Sequence, residues 1–136
     1  MLQTVVAALD PRRRRDRKSY LILNAILLIL FFLLPYPLYE VWELLDAAHG
    51  GEGYAALAFE IVFYAIQLVL IAVGVLLAAQ RCHDTDRSGW KALFILVPIL
   101  GLAFWIALFF FPGTPGPNRY GPDPLGRQPL APEPAT

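Results

Sequence analysis

The chain has 136 residues, 57% of them hydrophobic and only 16% charged, with a mean hydropathy of +0.54. A soluble domain carries about 25% charged residues, so an ordinary water-soluble globule is excluded. The 11 basic and 11 acidic residues cancel, which gives no ground for a nucleic-acid partner, and the single cysteine, Cys82, excludes an internal disulfide.

The first 18 residues end in a basic cluster, Arg12, Arg13, Arg14, Arg15, Arg17 and Lys18. An uncharged run, Ser19 to Tyr39, follows. It is longer than a signal-peptide core and no A-x-A site follows it, so a retained anchor is expected. The connection Glu40 to Glu60 has no Lys or Arg and contains Glu40, Glu43, Asp46, Glu52 and Glu60. A second uncharged run spans Ile61 to Gln80, and a third spans Ala92 to Phe111. About 20 residues of helix cross the ~30 Å of hydrocarbon in a bilayer, and helix is the form that satisfies its own backbone there. The expected fold is therefore all-α, an integral membrane protein with three transmembrane helices. The third is expected to be kinked or re-entrant at Pro98–Gly101, because Pro98 removes a backbone donor near its centre. With three full spans, nine basic residues fall on the N-terminal side and two on the other. That bias predicts a cytoplasmic N-terminus, a cytoplasmic Arg81–Lys91 connection and a tail outside. A hairpin at Pro98–Gly101 would return the tail to the cytoplasm.

Within the spans, Glu60, Tyr64, Gln67, Ile71, Gly74 and Ala78 share one helical face. Small and polar residues on such a face predict helix–helix packing with interhelical hydrogen bonds. No direct pair of Asn24 with Gln67 is expected.

The connection "RCHDTDRSGWK", Arg81 to Lys91, is the most polar stretch between apolar runs. Most of it reads as helix-end chemistry. Arg81 and His83 suit a helix C-terminus, while Asp84, Asp86 and Ser88 suit the caps of the next helix. Arg81–Asp84 and Asp84–Arg87 are spaced for local ion pairs, so losing Asp84 or Arg87 is expected to cost about 1 kcal/mol. Trp90 and Lys91 suit the interface. Cys82, His83, Asp84 and Asp86 match no strong zinc spacing, and no nucleophile motif or phosphate loop is present. No catalytic, cofactor-binding or metal residue is assigned, and no cofactor is expected. The candidate interaction or lipid-headgroup residues are Arg81, His83, Asp84, Arg87, Lys91, Arg119 and Tyr120, since anionic headgroups attract cations at this surface.

"RCHDTDRSGW", the apolar run with "VPILG" and then "PGTPGPNRYGPDP" together resemble the bacterial inner-membrane family catalogued as Domain of Unknown Function 805. Members commonly show Arg-x-His-Asp-x-x-Arg-Ser-Gly-Trp, which Arg81, His83, Asp84, Arg87, Ser88, Gly89 and Trp90 match. Pro112 to Pro124 match the tail pattern. Near the N-terminus Arg15, Arg17 and Tyr20 correspond to family positions, but Leu21 stands where Trp is usual. The resemblance implies a multi-pass inner-membrane location and no reaction. Residues 1–124 are expected to form the membrane domain and 125–136 a Pro-rich disordered tail. The role expected is a structural or interaction component of the envelope, in contact with the lipid bilayer and with a second copy or a membrane-protein partner. The alternatives are a subunit of an oligomeric transporter or channel and, further off, a lipid-headgroup enzyme.

Overall fold

The computed structural model describes residues 9–48 and 53–129. Among them every regular element is helical, apart from an isolated bridge between Asn118 and Gly121. The elements are α1 (Arg17–Leu33), α2 (Pro35–Ala48), α3 (Gly53–Asp84), a 3-10 helix (Gly89–Leu96) and α4 (Pro98–Phe110). The chain divides into two units, one of Leu23–Gly74, the other of Met1–Ile22 with Val75–Thr136.

Leu23–Gly74 holds most of α1, all of α2 and the first two-thirds of α3. The helical path continues through Leu34, whose N–H still donates to the Leu30 carbonyl at 3.0 Å. Pro35 and Pro37 fall in the first turn of α2, where a missing N–H leaves no partner unpaired. Helix thus extends into both ends of the expected Glu40–Glu60 connection, of which residues 49–52 lie outside the described residues. The expected interhelical bond on the α3 face is present: Gln67 Nε2 donates to the Phe31 carbonyl at 3.3 Å. Trp42, Phe59 and Phe63 form a ladder of rings, with centroids 5.6 and 6.1 Å apart.

Two helical runs, Arg17–Ala48 and Ala56–Asp84, are long and apolar enough to cross a membrane. Only 6% and 11% of their most apolar windows is buried. Core helices of a soluble protein are buried, so these faces need another apolar environment. Phe32, Leu44, Ile61 and Leu68 are among the large side chains left exposed.

The third apolar run departs from a single span. It breaks at Val97, which is extended (φ −91°, ψ 118°), and Pro98 starts a new helix at N1. Pro98 cannot donate the N–H that would carry the preceding helix onward, and it disfavours helical geometry at the residue before it. Gly101 lies against the Ile95 carbonyl, where a Cβ would collide, so the two arms fold closely together. Phe94 and Phe104 meet edge to face across the fold at 5.9 Å. The arms are roughly 16 Å and 20 Å long, each too short to cross. The third apolar run is therefore two short helices with a break at Val97–Pro98, beside the kink or re-entrant turn expected at Pro98–Gly101, and not one continuous helix. After it the chain returns to the end of α3: the Thr114 N–H donates to the Asp84 carbonyl at 2.8 Å.

Candidate functional site: a buried arginine–aspartate cap

The fully buried side chains of the described residues cluster in the unit that contains both the end of α3 and the tail. They include Arg81, Gln80, Asp84, Tyr20, Leu77 and Leu108. Arg81 and Asp84, 0% and 1% exposed, are three apart on the last turn of α3 and form the ion pair that their spacing predicts. Arg81 also donates from Nε to the Leu108 carbonyl at 3.1 Å, and from Nη2 to the Phe111 carbonyl. Arg17 Nε takes the Phe109 carbonyl at 3.0 Å. Two guanidiniums thus cover the C-terminal end of α4, where unpaired carbonyls carry partial negative charge.

Asp84 accepts from a second arginine. Arg14 Nε and Nη2 lie 3.2 and 3.1 Å from Asp84 Oδ1. The rest of the Arg14 fork is spent on the tail: Nη1 on the Gly116 carbonyl at 2.6 Å and the Gly121 carbonyl at 3.2 Å, Nη2 on the Thr114 carbonyl at 2.6 Å. The rigid planar donors of arginine suit such a set of fixed acceptors. Gly113 lies directly on the Asp84 carboxylate, where any Cβ would collide. Gly116 has φ +76°, a conformation that side chains disfavour. These two glycines let the tail lie flat over the ion pairs. Asp123, 3.9 Å from Arg14, supplies the second negative charge, so Arg14 and Arg81 are balanced by Asp84 and Asp123. Arg127 at the rim binds Asp123 through both oxygens, at 2.7 and 3.2 Å. That hydrogen-bonded guanidinium holds the Asp123 carboxyl down at about 2.

The N-terminal segment closes the other side. Gln80 donates to the Asp10 carbonyl at 2.7 Å and accepts from Arg15 Nε at 2.5 Å. Asp16 caps α1 by accepting the Ser19 N–H at 3.1 Å and the Ser19 hydroxyl at 2.6 Å. Burial would raise the Asp16 carboxyl, but the Ser19 bonds outweigh it and hold it below its usual value.

The remaining candidate residues gather at the rim. The Tyr120 ring stacks on His83 at 3.9 Å and 12°. Arg119 pairs with exposed Asp86 at 3.1 Å, and Asn118 donates to the His83 carbonyl at 2.9 Å. Arg87 does not pair with Asp84; its guanidinium sits 4.3 Å above the Phe111 ring. Lys91 is exposed. Ser88 precedes the 3-10 helix without a side-chain capping bond, and Asp84, bound to two arginines, caps nothing. Of the expected tail, Arg127 is held as described and Pro129 lies over Gly116, while residues 130–136 lie outside the described residues. Arg14, Gln80, Thr114, Asn118 and Asp123 were not singled out from the sequence. The only pointers to them are a run of arginines and a tail dense in Gly and Pro.

Two long apolar helices with exposed faces, a short apolar hairpin and a polar cap define a small helical membrane protein. The chain belongs to the family described as "Protein of unknown function (DUF805)", whose pattern matches residues 8–122. It is 33% identical over 132 residues to the inner membrane protein YhaH of Escherichia coli strain K12, covering 91% of this chain and 92% of YhaH. It is 52% identical over 48 residues to the inner membrane protein YhaI of the same strain, covering 35% of this chain and 41% of YhaI. No solved structure matches the chain.

Proposed function

We propose that this chain is a non-catalytic inner-membrane component with two spans and both termini in the cytoplasm, acting through lateral contact with lipid and with a membrane partner or second copy. The observation that carries this is how the polar residues are used. The donors of Arg14 and Arg81 are directed to carboxylates and carbonyls of the chain itself, which gives the most polar stretch a structural task. Charge distribution supports the orientation. All 11 Lys and Arg lie in the unit that carries the cap, and none lies in Leu23–Gly74. The hairpin adds the two basic residues of the tail to the nine already on that side, which strengthens the positive-inside bias. On this reading exposed Lys18, Lys91 and Arg119 supply the cations for anionic headgroups, and the exposed apolar faces of α1 and α3 supply the surface for lipid or a neighbouring helix.

Cysteine labelling tests the orientation. With Cys82→Ser as background, Glu52→Cys should react with an impermeant maleimide in intact spheroplasts, and Leu125→Cys only after lysis. Labelling of position 125 in intact spheroplasts would overturn the two-span arrangement. Mass measurement of the complex released from native lipid discs tests the interaction role. It should give more than one protein chain, and a bare monomer would sink that role.

A further inference from the structure

The surface of Leu23–Gly74 contains a cleft that the polar cap leaves unused. It lies between α2 and α3 and has a volume of about 520 Å³, within the range of small-molecule sites. Helical spacing builds its walls. On α2, Tyr36, Tyr39 and Glu40 stand three and four apart, so they share a face; on α3, Glu60 and Tyr64 do the same. Phe63 meets Tyr64 edge to face at 5.3 Å. Phe59 and Phe63 also border a second cleft of about 420 Å³, lined by Leu38, Trp42, Val62 and other apolar side chains. The first cleft thus presents aromatic rings and two carboxylates, and a wholly apolar space adjoins it.

The sign of the charge narrows the ligand. Leu23–Gly74 carries five carboxylates, Glu40, Glu43, Asp46, Glu52 and Glu60, and no Lys or Arg to neutralise them. Among the described residues of this unit no Lys, Arg or His is present to pair with Glu40 or Glu60. Aromatic faces attract cations through their negative quadrupole, and several rings around one site suit an ammonium better than a strongly hydrated metal ion. Metal binding would instead require converging oxygen ligands at short range. An apolar neighbour space favours a cation with an apolar substituent.

We propose that this cleft binds an organic ammonium ion bearing an apolar group, with the cationic head between Glu40 and Glu60 against the tyrosine rings. The apolar group lies along Phe59 and Phe63. The same chemistry is offered by a free solute and by the ammonium headgroup of phosphatidylethanolamine. Occupancy of the cleft is independent of the labelling results above, because both carboxylates and all the rings lie within one unit.

The test uses the full-length protein in dodecyl maltoside, a neutral detergent without an amine. Binding of benzyltrimethylammonium is compared with that of neopentylbenzene, its uncharged isostere. Saturable binding of the cation is expected, weakened by added salt. Glu40→Gln with Glu60→Gln should weaken it by about tenfold, and Tyr36→Leu or Tyr64→Leu by roughly fivefold each. Neopentylbenzene should bind more weakly and ignore the glutamate changes. Displacement by dihexanoyl-phosphatidylethanolamine would assign the site to a lipid head, and failure of that lipid to compete would assign it to a free solute. Equal binding of the two isosteres to the unaltered protein would overturn the proposal without recourse to any variant. Full cation binding by the Glu40→Gln/Glu60→Gln variant would overturn it as well.

Discussion

Asp84→Asn removes one charge from the centre of the cap while keeping its shape. The carboxylate is nearly inaccessible and holds two guanidiniums, Arg14 at 3.1 Å and Arg81. An amide oxygen can still accept from one arginine, but the amide nitrogen would point its protons at donors of the other. Two buried cations would then face one remaining carboxylate, Asp123, which is 3.9 Å from Arg14. Breaking a buried pair by altering one partner typically costs about 3–5 kcal/mol, well above the ~1 kcal/mol of a helix cap or an exposed pair. The Thr114 N–H, bonded to the Asp84 carbonyl at 2.8 Å, reports the opening of the tail. Its hydrogen exchange, followed in detergent, should accelerate by on the order of 10²–10³ in Asp84→Asn. Asp86→Asn is the internal comparison. It removes an ion pair whose side chains are 60% and 46% exposed, and should accelerate the same amide by no more than about fivefold. Equal, small effects of the two substitutions would refute the view that a buried charge cluster holds the tail.

Gly113→Ala should place a methyl group against the Asp84 carboxylate and free the tail, read as new proteolytic cutting at Asn118–Tyr120; an unchanged digestion pattern would count against the tight approach. Asp123 is held at about 2, below the unfolded carboxylate value of about 3.9. A depressed carboxyl stabilises the attached tail fully above that unfolded value, and its contribution is lost as pH falls through about 2. In Arg127→Gln the Asp123 titration, followed by carboxyl NMR, should move up towards 4, and an unmoved midpoint would remove Arg127 as the cause. Gly101→Val should push the Ile95 carbonyl aside and open the hairpin, lowering the thermal midpoint in detergent; a midpoint equal to the parent's would show that the two arms do not depend on close approach there.

Part of this organisation is legible in the sequence because it is local. Apolar runs mark the long helices, and the Pro98 and Gly101 pair marks the place where the third run breaks. Arg81 and Asp84 meet because a helix sets residues three apart on one face. The rest depends on contacts between distant positions. Arg14 is one of six basic residues within seven positions, and nothing in that run separates it from Arg13 or Arg15. Its carboxylate partner lies 70 positions away, and its other acceptors are carbonyls, which every residue has. Tail acceptors therefore leave no mark in the side-chain sequence beyond the glycines that let the backbone come close. Asp84 was read as a local cap because that reading weighs only neighbours; the tertiary arginine outweighs them. Arg87, expected beside Asp84, is drawn instead to the Phe111 ring, which the hairpin brings back.

The span between Arg14 and its last acceptors also sets an order of events during synthesis. Gly116 is 102 positions and Gly121 is 107 positions behind Arg14. At about 5–20 residues per second, the arginine leaves the ribosome some 5–20 s before the carbonyls that complete its shell. Through that interval Arg14 lacks those acceptors, and a chain that stops short of Gly116 leaves its guanidinium with the Asp84 carboxylate but without the Gly116 and Gly121 carbonyls. Such a chain also lacks Asp123, so Arg14 and Arg81 are left to share the one carboxylate of Asp84.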